Sequence, residues 1–299
     1  MRIFQVDAFT RYRFTGNPAT VVLDAQALDD VELRNLAREF AHAEVAFVSP
    51  PAGAGHDVRI RFFNARKEMP FVGHATVAAH AVLLEAGWRG LGVCRQQSGT
   101  GVVEVAAFLD PADVDAPATI EFRQSAAQLD APLPFKMSLR VAEALGLPGA
   151  RLHESLPARV ARKGGARLLL PVADAQALDE LLAQMDTVSA IGRELGVDGI
   201  FAFALQRGPH GASTESRMFC PALGIDEDPV SGNAHAMLAA YLFEVGLLDL
   251  AAGGFVGRQG RQIGRPGRVL VTIEVDGSRL RAVRIGGTAV IVSEGTLRR

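Results

Sequence analysis

EMPFVGHATVAAHAVL at residues 68–83 and EDPVSGNAHAMLAAYL at residues 227–242 are nearly the same sentence written twice. Without gaps they match at Glu68/Glu227, Pro70/Pro229, Gly73/Gly232, Ala75/Ala234, Ala81/Ala240 and Leu83/Leu242. Each copy reads as a loop feeding a helix, roughly Ala75 to Ala86 and then Gly87 in the first, and Ala234 to Glu244 in the second. Gly73 and Gly232 are read as sharp backbone turns that allow close approach to a ligand. N–H groups at a helix start attract an anion or a developing negative charge. Small residues behind them (Ala75, Ala78, Ala79; Ala234, Ala236, Ala239, Ala240) let the helices pack tightly. Two such ends facing each other across a cleft would hold a carboxylate or enolate. The competing reading is an ordinary packed helix start in each half.

Other elements repeat around this motif. In the first half a helix, DDVELRNLAREFAH at 29–42, precedes the strands EVAFVSP at 44–50 and VRIRFFN at 58–64. Asp29 or Asp30 can cap that helix. Ile60 and Phe62 lie on one strand face, with Arg59, Arg61 and Phe63 on the other. In the second half the helix TVSAIGRELG at 187–196 precedes GIFAFALQ at 199–206 and ESRMFCP at 215–221. The second strand of each pair carries an Arg-x-Phe, Arg61 to Phe63 and Arg217 to Phe219. Further strands are read at 2–9, 16–24, 101–108, 118–124 and 166–173, and at the C-terminus around a turn at Asp276-Gly277. QLDAPLPF at 128–135 reads as a linker. The fold class is α+β: two similar domains from an internal duplication, with antiparallel hairpins outnumbering crossover helices. The domains expected are 1–126 with a returning C-terminal strand at about 284–299, and 127–283.

Bulk composition narrows the function. A chain of 299 residues suits two domains. A net charge of −2 leaves no electrostatic footprint for nucleic acid or an anionic membrane. GRQGRQIGRPGR at 257–268 is read as a solvated loop. Cys94 and Cys220 make no disulfide framework and no metal spacing, so reduced thiols in a cytoplasmic protein are expected. MRIFQVDAFT does not read as a signal peptide, and apolar runs such as GIFAFAL are too short to span a bilayer. With no phosphate loop, metal cluster or flavin fingerprint in the sequence, the expectation is a small-molecule substrate and no cofactor.

DAFT (7–10), GNPATVVL (16–23), HAEVAFV (42–48), GHATVAAH (73–80), EDPVSGNA (227–234) and the closing GGTAVIV (286–292) occur here in order. Together they resemble the phenazine-biosynthesis isomerase-like family, within the diaminopimelate-epimerase-like fold. The resemblance implies two domains, each a mostly antiparallel, curled sheet around a central helix, with a cleft between them. It also implies a homodimer, and a C-terminal strand around 286–293 that returns to the first domain.

Two-thiol epimerases of this fold carry cysteine just before the Gly of each motif. Val72 and Ser231 stand there in this sequence, and valine carries no proton. The phenazine-type enzymes use a glutamate whose motif matches HAEVAFV, which puts the acid/base on Glu44. Its apolar neighbours fit a desolvated carboxylate, raised from about 4.3 toward neutrality; an exposed strand-start glutamate is the alternative. His74 and Asp228 match substrate-contacting positions of the family, and Asn233 replaces a serine. Gly73, Gly232, Ser231 and Asn17 complete the expected substrate set. Asp228 equally suits a helix N-terminus. Glu68 and Glu227 are expected to have a structural role, accepting hydrogen bonds from nearby backbone or pairing with Arg61 and Arg217. The function read from these residues is proton transfer on a small carboxylate-bearing substrate by Glu44. The alternative is a ligand-binding or interaction protein without turnover, suggested by Asn64, Val72 and Asn233.

Overall fold

The computed structural model describes residues 1–40, 44–208, 211–248, 250 and 253–298. The chain forms two compact units, Met1–Arg123 with Gly286–Arg299, and Gln124–Ile285. It is a mixed α/β protein with six α-helices among the described residues.

The first unit contains β1 (Arg2–Ala8), β2 (Asn17–Val22), α1 (Asp30–Glu39), β3 (Val45–Ser49), β4 (Val58–Phe63), β5 (Glu68–Met69), α2 (Gly73–Glu85), β6 (Gly92–Ser98), β7 (Gly101–Phe108) and most of β8 (Thr119–Ser125). The second contains β9 (Gln128–Leu129), α3 (Phe135–Ala144), β10 (Arg159–Arg162), β11 (Ala166–Pro171), α4 (Ala175–Asp179), α5 (Met185–Leu195), β12 (Gly199–Gly208), β13 (Gly211–Phe219), β14 (Glu227–Asp228), α6 (Gly232–Glu244), β15 (Gly254–Gln259), β16 (Gly267–Asp276) and most of β17 (Arg279–Gly287). β18 (Ala289–Thr296) pairs antiparallel with β1 in the first unit.

Pairing follows one pattern in both units. β1–β2 is antiparallel, β2–β3 parallel, β3–β4 antiparallel, β4–β6 parallel and β6–β7 antiparallel. β10–β11, β11–β12, β12–β13, β13–β15 and β15–β16 repeat that sequence of directions. β18 flanks β1 as β9 flanks β10.

The helices α2 and α6 are buried almost all round, as their lack of a polar face requires. α2 buries Ala75, Thr76, Val77, Ala78, Ala79, His80, Val82 and Leu83, and packs on β1, β2, β3 and β18. α6 buries Ala234 through Leu242 without a break, and packs on β9, β10, β11 and β16. The alanines let strands approach these helices closely, while α6 also buries the larger Met237, Leu238 and Tyr241. α1 is amphipathic, buries Leu33 and Ala37, and begins with an Asp29–Glu32 capping box. Its expected last residues, 41 and 42, lie outside the described ones.

Several expectations need correcting. QLDAPLPF is no free linker: Gln128 and Leu129 pair with Arg162 and Ala161, and Phe135 opens α3. GRQGRQIGRPGR is not a loop throughout, because its first residues belong to β15 and its last to β16. Gly73 and Gly232 are not turn residues. They are the first helical residues of α2 and α6, and neither has a positive φ. Gly73 is small for another reason: a Cβ there would stand 3.1 Å from Cζ of Phe122.

The Arg-x-Phe strands and the recurrent glutamates lock together. Arg61 donates to Glu68 through Nε (2.8 Å) and a terminal nitrogen (2.6 Å), and lies 4.9 Å from the centre of the Phe63 ring. Arg217 does the same with Glu227 at 3.0 and 2.8 Å, and lies 4.8 Å from the Phe219 ring. Arg217 also donates to the carbonyls of Leu178 and Leu181. Burial separates the copies: the side chains are 11% and 9% exposed for Arg217–Glu227, but 21% and 39% for Arg61–Glu68. Breaking a buried pair strands a charge, whereas an exposed pair contributes little. Urea unfolding is expected to show a loss of about 3–5 kcal/mol for Glu227→Ala and about 1 kcal/mol or less for Glu68→Ala.

Both central helices also bury a histidine. His235 Nδ1 donates to the Ser231 carbonyl at 2.7 Å, and burial lowers its pKa from 6.5 to about 4. His80 bonds Gln96 through Nε2 at 2.9 Å and has Arg89 against Nδ1. Burial, then the Arg89 charge, lower its pKa to about 3. Both rings are neutral in the folded chain when the unfolded chain has already taken up protons. Stability is therefore fully present above pH 6.5 and is lost as pH falls from 6.5 toward 4 for His235 and toward 3 for His80. His235→Gln is expected to shrink the stability difference between about pH 7 and about pH 4.5 by about 3 kcal/mol, measured by urea titration.

Candidate functional site

In the first unit, the parallel pairing of β2 and β3 brings their N-terminal ends to one side. Thr20 is level with Val45, so Glu44, just before β3, stands near the start of β2, where Asn17 is buried. His74 is the second residue of α2. Its Nε2 lies 3.5 Å from Oε2 of Glu44, with side chains 12% and 20% exposed. The carboxylate is thus neither at the open surface nor deep in the core. Val72, the residue before α2, provides no side-chain cap. The positive end of the helix therefore lies beside this carboxylate–imidazole pair.

The loop from β1 to β2 is held in an unusual conformation next to Asn17. Phe9 and Phe14 have φ of 62° and 67°, values that side chains other than Gly, Asn and Asp seldom adopt. Asp7 accepts the Phe14 N–H at 2.6 Å, which braces the loop. Gly16 (φ 66°) is indispensable there, since a Cβ would meet the Ala8 carbonyl oxygen. Gly287 leaves room for the Phe9 ring, and Thr288 Oγ1 donates to the Thr10 carbonyl at 2.8 Å. The DAFT, GNPA and GGTA segments are thus parts of one braced corner.

In the second unit, Ser231 caps α6 by accepting the Ala234 N–H at 3.3 Å. Asp228 lies on β14, paired with Met218, so the cap is made by Ser231 and not by Asp228. Asn233 Nδ2 donates to the Lys163 carbonyl at 3.2 Å. Gln259 is a residue the sequence did not reveal. It is buried, accepts the Ser231 N–H at 3.0 Å and donates to the Asp228 carbonyl at 2.6 Å, so it ties both ends of the DPVS segment to β15. Its place within the run of Arg and Gly residues hid it.

The structure thus brings Glu44 and His74 together in the first unit. It groups Asp228, Ser231, Gly232 and Asn233 around the start of α6 in the second. A cavity of about 450 Å³ in the first unit is lined by Pro51, Trp88, Leu91 and Cys94 but by neither Glu44 nor His74. Burial pushes the Cys94 thiol up, and Cys220 is also buried, so both read as packing groups.

Residues 6–295 match the profile of the family described as phenazine biosynthesis-like protein. The chain belongs to that family. It is 35% identical over 295 residues to an uncharacterized isomerase of Escherichia coli K12, covering 97% of this chain and 96% of the relative. It is 36% identical to an uncharacterized isomerase of Deinococcus radiodurans, covering 98% and 94%. Among solved structures, a predicted epimerase from Pseudomonas aeruginosa matches with 30% identity and a TM-score of 0.79, over 99% of this chain and 98% of that one. A phenazine biosynthesis protein of the PhzF family from Bacillus anthracis matches with 26% identity and a TM-score of 0.85, over 100% and 99%. A probable proline racemase from Agrobacterium radiobacter, at 13% identity and a TM-score of 0.64 over 99% and 92%, shares the fold. No helix among the described residues is long and apolar enough to cross a membrane.

Gln259→Leu leaves the Ser231 N–H and the Asp228 carbonyl without their partner. Each unpaired group costs about 1–3 kcal/mol when buried. Urea unfolding is expected to register a loss of at least about 2 kcal/mol.

Proposed function

We propose that this chain is an isomerase that moves a proton on a small carboxylate-bearing substrate, with Glu44 as acid and base. The observation that carries the reading is the Glu44–His74 pair, 3.5 Å apart and largely withdrawn from water, at the start of a buried helix. A carboxylate in such a place can take a proton from a carbon next to an electron-withdrawing group. The C–H electrons pass into an enolate-like system, and Glu44 then returns the proton at another carbon. No net electrons move, so acid/base groups and donors for the developing negative charge are sufficient. His74 orients the substrate against Glu44. The full-length relatives named isomerases support the class of reaction.

The two units are proposed to be copies of one ancestral domain. The repeated strand pairing and the repeated Arg–Glu lock support this. The start of α6, with Asp228, Ser231, Gly232 and Asn233, is proposed to supply the remaining substrate contacts, with Asn17 as a contact from the first unit.

The test is proton exchange. The protein is incubated in deuterated water with a panel of small cyclic amino and hydroxy acids, and the ligands are analysed by mass spectrometry and NMR. Wild type is expected to place deuterium on a ligand carbon, and Glu44→Gln to slow this by about 10²-fold or more. Tight binding by wild type with no exchange on any ligand would overturn the proposal, as would undiminished exchange by Glu44→Gln.

A further inference from the structure

The turn between β10 and β11 carries a cation for which no carboxylate is provided. Lys163 opens the turn, and its N–H donates to the Gly165 carbonyl at 2.9 Å. Gly164 and Gly165 take φ of 61° and 152°, so the turn accepts no larger residue without strain. A Cβ on Gly165 would also come within 2.8 Å of an Asp198 carboxylate oxygen. The bond from Asn233 to the Lys163 carbonyl holds this turn against the first turn of α6. The position of Lys163 is therefore fixed by backbone contacts and does not depend on its own side chain.

The ammonium end has one hydrogen-bond partner among the described residues, the Ser125 hydroxyl at 3.1 Å. A shallow, open surface hollow lies beside it, bordered by Arg162, Gly164, Gly165, Gly196 and Asp198. The other charges around the hollow are already engaged. Arg162 pairs with Asp130 at 2.9 Å and Arg167 with Asp198 at 2.8 Å. Lys163 forms no ion pair among the described residues, and it is only partly exposed. Its partial desolvation lowers its pKa from the ordinary lysine value. A half-buried ammonium held by a neutral hydroxyl is an unfavourable arrangement that an arriving anion relieves.

We propose that Lys163, with Ser125 beside it, is the receptor for the carboxylate of the substrate, and so a specificity residue of the second unit. This rests on the isomerase reading for the molecule to which that carboxylate belongs. The glycines of the turn leave the space next to the ammonium open, and Asn233 links the receptor to the start of α6. Lys163 lies outside the motifs that carry the family resemblance in this sequence.

Calorimetric titration at constant ionic strength tests the assignment, with benzoate as the anion and benzamide as its neutral counterpart. Wild type is expected to bind benzoate at least about tenfold more tightly than benzamide, since only the anion gains a charge-assisted bond. Lys163→Met is expected to lose about tenfold or more of the benzoate affinity, while Lys163→Arg, which keeps the charge, retains most of it. Lys163→Met is expected to leave the weaker benzamide affinity unchanged, because the neutral ligand gains no charge-assisted bond. With any panel ligand that exchanges, Lys163→Met raises KM, whereas Glu44→Gln lowers kcat. Absence of benzoate binding by wild type, equal binding of benzamide, or undiminished binding by a folded Lys163→Met overturns the proposal. A panel with no exchanging ligand sinks the Glu44 chemistry alone, because the benzoate titration judges Lys163 independently.

Discussion

A helix surrounded by strands has little room for polar side chains except at its ends, and the exception in the middle of α2, His80, needs Gln96 and Arg89 as partners. α2 and α6 are in that position, with nearly every residue of their middles buried. Alanine and glycine keep the helix thin enough for strands to close around it, and the helix's own hydrogen bonds satisfy its backbone. The first turn is the exception, since its N–H groups have no partner within the helix. Polar residues therefore gather at the N-terminal end of each central helix: Glu44 and His74 at one, Ser231, Asn233 and Gln259 at the other. The candidate site is thus a consequence of how the core is built.

The chain must be led into each of these helices at a fixed angle, and the Arg–Glu locks do this. Arg61 on β4 grips Glu68 on β5, and Arg217 on β13 grips Glu227 on β14, each arginine lying over a phenylalanine two residues further on. The bidentate geometry fixes direction as well as distance. Only the second lock is buried, because Arg217 also serves the last carbonyls around α4. The corresponding nitrogen of Arg61 pairs instead with the exposed Asp30 at the start of α1, at 2.8 Å, and this lock stays half open to water.

Much of this was legible in the residues. The alternation in VRIRFFN placed Ile60 and Phe62 correctly on one buried face, and of the two readings of the repeated glutamates the structure shows the pairs with Arg61 and Arg217. Omissions and misreadings came where polar residues face inward. GVCRQQS at β6 has polar residues on its buried face, Gln96 and Ser98, and Gln96 is there to serve His80. Gln259 was lost in a run that reads as a solvated loop, yet it is the hydrogen-bonding hub of the DPVS segment. The helix starts were placed two residues late because Gly73 was credited with a turn. Its actual constraint is a phenylalanine from β8, which no local pattern reveals.

The two helix starts also differ in a way that bears on their roles. Ser231 caps α6, its own N–H is held by Gln259, and Asn233 is spent on a turn carbonyl. Such a set is rigid, and rigidity suits the holding of a ligand in one orientation. Val72 brings no cap to α2, and His74 Nε2 stands 3.5 Å from the Glu44 carboxylate beside that helix start, longer than a strong hydrogen bond. The strand pairing is thus the same in both units while the residues at Val72/Ser231 and His74/Asn233 differ, so the two helix starts differ in their hydrogen bonding without a change in the strands around them.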